Sequence, residues 1–204
     1  MRAVILSERA LADTDEIFAA AVVHLTRKLG RVKPLDAATL PDDRAEMVSA
    51  LDAWAGDEVD WRGELARFYE DHIPLHLRPD SALNSALRQL QAAGIRLACW
   101  SPGPDEAAQI VVHQLGLGRR IERIGSGGSA DVAVLLADEL APSRDQALIV
   151  ADDAGALAHV ARRGAGAAAA LWTGAEPSAS APVAVLRSPA DMVALVLGET
   201  AAAR

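Results

Sequence analysis

The sequence predicts an α/β protein: a doubly wound parallel sheet carrying an all-helical insertion after its first strand. Three observations predict it. Short runs of consecutive apolar residues recur along the chain: Ala3-Val4-Ile5-Leu6, Leu97 to Trp100 within the stretch Ile95 to Trp100, and Ala147 to Val150 within the stretch Gln146 to Val150. Continuous rather than alternating apolar runs are the mark of strands covered on both faces. From residue 80 onward these runs alternate with helix-like segments, the pattern of a parallel sheet with crossover helices. Between the first run and residue 78, by contrast, only helical spacing is found.

Asp15 to Lys28 reads as a helix, with Ile17, Ala20, Ala21, His24, Leu25 and Lys28 at helical spacing and Gly30 closing it. Leu35 to Pro41 reads as a turn-rich connection. Asp42 to Ala55 and Asp60 to His72 read as two further helices, each opening on acids that suit the N-terminal end of the helix dipole. Pro74 is expected to break the second of them. Trp54, Trp61, Phe68 and Tyr69 fall at core positions of this helical set.

Ser81 to Ala93 is a helix presenting Leu83, Leu87 and Leu90, with Gly94 as its C-terminal cap. The strand Ile95 to Trp100 follows, then the turn Ser101-Pro102-Gly103-Pro104. Asp105 to Leu115 is helical, Ile121 to Ile124 a short strand, and Gly125 to Gly128 a turn. Ala130 to Leu140 is helical, Gln146 to Val150 a strand ended by Ala151-Asp152-Asp153, and Ala154 to Arg163 a helix. Ala167 to Trp172 and Val183 to Leu186 are candidate strands, and Pro189 to Leu197 is a last helix. The expected division is a core of residues 1–14 and 79–204 and a helical cap of residues 15–78.

Bulk properties narrow the function. The chain has 204 residues, enough for one buried core with a smaller appended element. It is 51% hydrophobic and 24% charged, a globular composition. A net charge of −8 argues against nucleic-acid and anionic-lipid surfaces. One Cys, Cys99, leaves no internal disulfide and suits a reducing cytoplasm. Neither a secretory leader pattern nor a membrane-length apolar run is expected to operate.

Right-handed crossovers place every strand-to-helix loop on one edge of the sheet. Ser7 to Asp13, Ser101 to Pro104, Gly125 to Ser129 and Ala151 to Gly155 therefore converge. Ligands bind at such an edge, and the helical insertion should cover it.

Three pieces carry a family resemblance. Ala147-Leu148-Ile149-Val150-Ala151-Asp152-Asp153 resembles the fourth motif of the haloacid dehalogenase superfamily, an apolar strand ending in Gly-Asp. Leu97-Ala98-Cys99-Trp100-Ser101-Pro102-Gly103-Pro104 resembles the second motif. Ala3-Val4-Ile5-Leu6 followed by Leu11-Ala12-Asp13-Thr14 resembles the flanks of the first. Their order and spacing are similar to phosphoglycolate-phosphatase-like members with a helical cap. The resemblance implies a phosphatase scaffold that uses Mg²⁺ and two acids in the first motif.

Those acids are replaced. The resemblance puts Ser7 at the nucleophile, Arg9 at the acid/base and Ala10 at the glycine, with the turn about one residue short. A Ser without an adjacent base is a poor nucleophile. Arg cannot shuttle a proton near neutral pH. The later acid of the fourth motif falls on Ala156 and the third-motif Lys on Ser129. Asp152 remains as a metal ligand, with Asp153 and Asp13 as the other acids expected on that edge. Asp152 and Asp153 could equally cap the next helix. Two acids beside Arg9 form a poor cage for Mg²⁺.

The expected protein is thus a catalytically degenerate member that binds a small anionic or phosphorylated ligand, or assembles as a homodimer or with a protein partner. Ser7, Arg9 and Ser101 are the candidate ligand-binding residues, and no cofactor is expected. The alternative is an active, Mg²⁺-dependent phosphatase using a rearranged site. Arg9 could instead pair with Asp152 and fill the old metal position. His72 and His76 are the only His pair at ligand spacing, and the break at Pro74 would separate them.

Overall fold

The computed structural model describes residues 1–127, 129–173 and 184–198. Among the described residues, six parallel strands form one sheet in the order β3-β2-β1-β4-β5-β6. They are β1 (Ala3–Ser7), β2 (Arg96–Ser101), β3 (Arg123–Ser126), β4 (Ala147–Ala151), β5 (Gly166–Ala170) and β6 (Ala184–Leu186). The helices are α1 (Glu8–Leu11), α2 (Asp15–Leu29), α3 (Arg44–Ala55), α4 (Trp61–His76), α5 (Ser81–Ala92), α6 (Asp105–Gln114), α7 (Asp131–Leu140), α8 (Ala154–Arg162) and α9 (Pro189–Leu197). Of the strand expected over Val183 to Leu186, Ala184–Leu186 is β6; Val183 and the preceding Gly/Ser/Pro loop fall on residues 174–183, outside the described residues, as does Gly128.

The apolar strands are buried on both faces because each face has its own cover. Val4, Leu6, Leu97, Cys99, Leu148 and Val150 join a cluster with the helices of the insertion and with α5, α6 and α9. Their neighbours Ala3, Ile5, Ala98, Trp100, Ala147 and Ile149 pack against α7 and α8. The period of two along each strand assigns the residues to the two sides. The insertion and the sheet share the first cluster: Leu51, Leu65 and Tyr69 are fully buried in it with Val4 and Leu6.

The chain winds outward from β1 to β3, then returns to lay β4 beside β1 before winding the other way. Leu6 is therefore flanked by Cys99 of β2 and Val150 of β4. The β1/β4 border is where the winding reverses, and the carboxyl ends of the strands diverge into a crevice there.

The strand expected over Ala167 to Trp172 ends at Ala170, with Leu171–Thr173 in a 3-10 turn, and three further elements differ from the sequence reading. The polar turn after β1 is a helical turn, α1, with Ser7 as its N-cap. The strand expected over Ile121 to Ile124 is displaced to Arg123–Ser126. The Ile121 N–H bonds back to Leu117 O, whereas Gly125 and Ser126 pair with Trp100 and Ser101. Gly125 serves the strand because α7 lies directly against it: a Cβ there would meet Val132 Cγ1 at 2.7 Å. Third, α4 does not stop at Pro74 but continues to His76. The proline removes one hydrogen bond in the last turn. Burial of Ile73 and Leu77 on either side holds that turn in place, and the Arg78 guanidinium caps the Pro74 carbonyl. His72 is not aimed at His76; its ring stacks on Phe68 at 3.9 Å.

Candidate functional site

The turn after β1 sets the site. Ser7 is extended (φ −63°, ψ 151°), and its Oγ accepts the Ala10 N–H at 3.0 Å. The chain therefore enters a helix at once, which turns Glu8 inward and Arg9 outward along the edge. Glu8 is fully buried, whereas the Arg9 side chain remains 40% exposed.

Arg9 sits in the crevice between β1 and β4. Its Nε lies 2.9 Å from Asp152 Oδ2 and its Nη2 2.8 Å from Asp15 Oδ2. The Asp152 side chain is only 7% exposed. Burial pushes its carboxyl up from the usual range, and the Arg9 charge pulls the other way. Asp153 caps α8, its Oδ1 accepting the Ala156 N–H. Asp13 accepts the Asp15 N–H at 3.1 Å near the surface.

Sequence reasoning missed Glu8, which lies at the centre of a buried polar cluster. Its Oε1 accepts from Thr14 Oγ1 at 2.8 Å and from Arg44 Nη2 at 2.9 Å, and its Oε2 accepts from Ser101 Oγ. Arg44 Nη1 also donates to Thr14 Oγ1 at 2.8 Å, and the Gly103 N–H donates to Ser101 Oγ at 2.9 Å. The Arg44 guanidinium lies over the Phe18 ring, 4.4 Å from its centroid. Burial alone would raise the Glu8 carboxyl; Arg44 and the two hydroxyls outweigh it and hold it below the usual value.

Beside Arg9 a cavity of about 620 Å³ opens between the edge and the insertion. Ser7, Arg9, Trp100, Asp152 and Asp153 form its sheet side; Phe18, Asp42, Arg44 and Met47 form its insertion side. His159 of α8 also lines it, and its Nε2 meets Asp131 Oδ1 at 2.8 Å. Ser129, at the third-motif Lys position, bonds Asp131 Oδ2 at 3.0 Å. Ser101 is on the other side of this arrangement: fully buried, it faces Glu8 and forms no part of the cavity wall. Of the predicted ligand-binding trio, the structure brings Ser7 and Arg9 to the cavity and sends Ser101 to Glu8.

The donor set does not fit a resident Mg²⁺. That cation needs several hard oxygens in octahedral geometry. Here a guanidinium lies on Asp152, Asp153 is engaged at a helix N-terminus, and Ser7 Oγ is a cap. Among the described residues, no three His, Cys, Asp or Glu side chains cluster as a metal site.

No protein-family model matches the sequence, and no curated protein matches it. Solved structures do match the fold. CbbY from Rhodobacter sphaeroides, solved in complex with phosphate, is 19% identical with a TM-score of 0.69, over 94% of this chain and 96% of that one. A hydrolase from Pseudomonas syringae is 16% identical (TM-score 0.68; 97% and 98% covered). A HAD phosphatase from Thermococcus onnurineus is 15% identical (TM-score 0.64; 97% and 98% covered). With its parallel sheet, its winding order and its helical insertion after β1, this chain has the haloacid dehalogenase-like hydrolase fold.

Proposed function

We propose that this protein is a phosphatase-like scaffold without phosphatase chemistry, whose cavity binds a small anionic ligand, such as a phosphorylated metabolite, without a metal. The observation that supports it is Arg9, a fixed cation placed between Asp15 and Asp152 where a phosphatase of this fold would need a carboxylate. Arg9 offsets the negative charge of Asp152 and still has an exposed face toward the cavity. Asp43 and Asp153 direct their carboxylates at the N-termini of α3 and α8. His159 adds a ring that can donate a hydrogen bond when protonated.

The test is a calorimetric titration with inorganic phosphate, alongside an assay for phosphate release from generic esters with Mg²⁺. Saturable phosphate binding to the wild type, lost in Arg9→Ala, and no Mg²⁺-dependent turnover are the expected results. Turnover that tracks Mg²⁺ and disappears in Asp152→Ala would overturn the reading in favour of an active phosphatase with a rearranged site.

A further inference from the structure

The cluster around Glu8 is built like an oxyanion site. Thr14 Oγ1 accepts from Arg44, and Ser101 Oγ accepts from the Gly103 N–H. With their acceptor sides engaged, both hydroxyls turn their protons onto the carboxylate. Arg44 adds a charge-assisted bond from a side chain that is only 10% exposed. All the donors converge on one point, and the group at that point belongs to the chain itself.

The contributors come from separate parts of the fold. Glu8 follows β1 and Ser101 ends β2. Thr14 precedes α2, Arg44 opens α3, and the Tyr69 hydroxyl of α4 lies 3.4 Å from Arg44 Nη2. Arg44 passes close to Gly103: a Cβ there would stand 3.1 Å from Nη2, so a larger residue would push the guanidinium aside.

We propose that Glu8 is a tethered ligand: its carboxylate fills an oxyanion site formed by Ser101, Thr14 and Arg44, and in filling it clamps the helical insertion onto the sheet edge. The ligand class of the site is a small carboxylate. Truncation at Cβ excises –CH₂–COO⁻, which is the size of acetate. Arg44 left without its partner is a buried, uncompensated cation, so the emptied site should take acetate from solution. This clamp is independent of what the neighbouring cavity binds, and its failure would leave the metal-free reading of that cavity standing.

The experiment is thermal unfolding of the full chain in sodium acetate against sodium chloride at equal ionic strength. Glu8→Ala should melt below the wild type and be rescued by acetate alone. At about five times its dissociation constant, acetate should raise the Tm of this variant by about 2–4 °C. The wild type, whose site is filled, and the double variant Glu8→Ala/Arg44→Met report any acetate taken up by the Arg9 cavity, and the shift of Glu8→Ala should exceed theirs by about 2–4 °C. An equal shift in the wild type, or none in Glu8→Ala, overturns the proposal. A second measurement uses Glu8→Gln, which keeps the shape and removes the charge. Amide exchange over residues 44–55 should quicken at least about tenfold, the factor expected when a charge-assisted hydrogen bond is lost, while β1 and β4 stay protected. Unchanged exchange over residues 44–55 overturns it as well.

Discussion

Replacing Arg9 by Ala removes the charge that faces a side chain with 7% exposure, Asp152. Stripping a fully buried pair of one partner costs about 3–5 kcal/mol. Arg9 is 40% exposed, so water can reach the vacated place and the expected loss is about 1–3 kcal/mol. The pH dependence has a definite sign. The Asp152 carboxyl is already raised by burial, against the pull of Arg9. A raised acid favours the fold while protonated and works against it as pH rises through its folded value. Without Arg9 that value climbs further. The Tm deficit of Arg9→Ala should thus be largest near neutral pH and shrink as pH approaches 4; a deficit constant from pH 8 to pH 4 would refute the pairing. That Arg9 and Asp152 meet was one of two readings the sequence left open for Arg9, because both follow apolar runs expected to be neighbouring strands. The role of Glu8 was not legible. In a Ser-Glu-Arg triplet an acid reads as solvated, and only the helical start at Ser7 turns it inward. Its partner Arg44 lies 36 positions away, in an insertion whose placement no local pattern dictates.

Between elements, the joint of α2 and α4 is electrostatic as well as apolar. Glu64 is 4% exposed and faces three cationic or ionisable groups: Lys28, His24 at 3.0 Å and Arg67 at 2.8 Å. Burial raises its carboxyl, but the bonds from Lys28, His24 and Arg67 prevail and bring it down from 4.5 to about 2. A depressed acid adds stability above its unfolded value and loses it as pH falls toward its folded value. The wild type should therefore lose stability between pH 4.5 and pH 2 through this group. Glu64→Gln should be less stable at neutral pH and flatter across that window, as read by denaturant midpoints at each pH. Equal slopes would refute the assignment. The elements themselves were largely legible from periodicity. The failures have a common physical cause: apolar residues report burial, not pairing. Ile121 is 8% exposed yet precedes the β3 ladder, and Pro74 remains in α4 because the buried residues beside it hold the turn.

For the molecule as a whole, the reversal of winding between β1 and β4 creates one crevice, and the side chains at its mouth decide which ions it accepts. The fold alone would permit a divalent cation there, since carboxylates at two neighbouring strand ends can share one. Here the crevice holds Arg9, and a cation would have to displace a guanidinium already 2.9 Å from Asp152 Oδ2. Mg²⁺ also sheds its own water reluctantly, so a site offering few free oxygens has little to give in exchange. Global stability reads this directly. A ligand that binds only the native state at about 1,000 times its dissociation constant adds about 4 kcal/mol, which for a chain of this size is a rise of about 8–16 °C. A site of low-micromolar affinity would show that rise in millimolar Mg²⁺. The expected change in Tm on adding Mg²⁺, or on removing it with a chelator, is instead below about 1 °C. In Arg9→Ala the carboxylates of Asp15 and Asp152 are released, and any Mg²⁺-induced rise should appear only there. A large rise in the wild type would mean that Arg9 yields to the cation, and the metal-free reading of the crevice would fall with it.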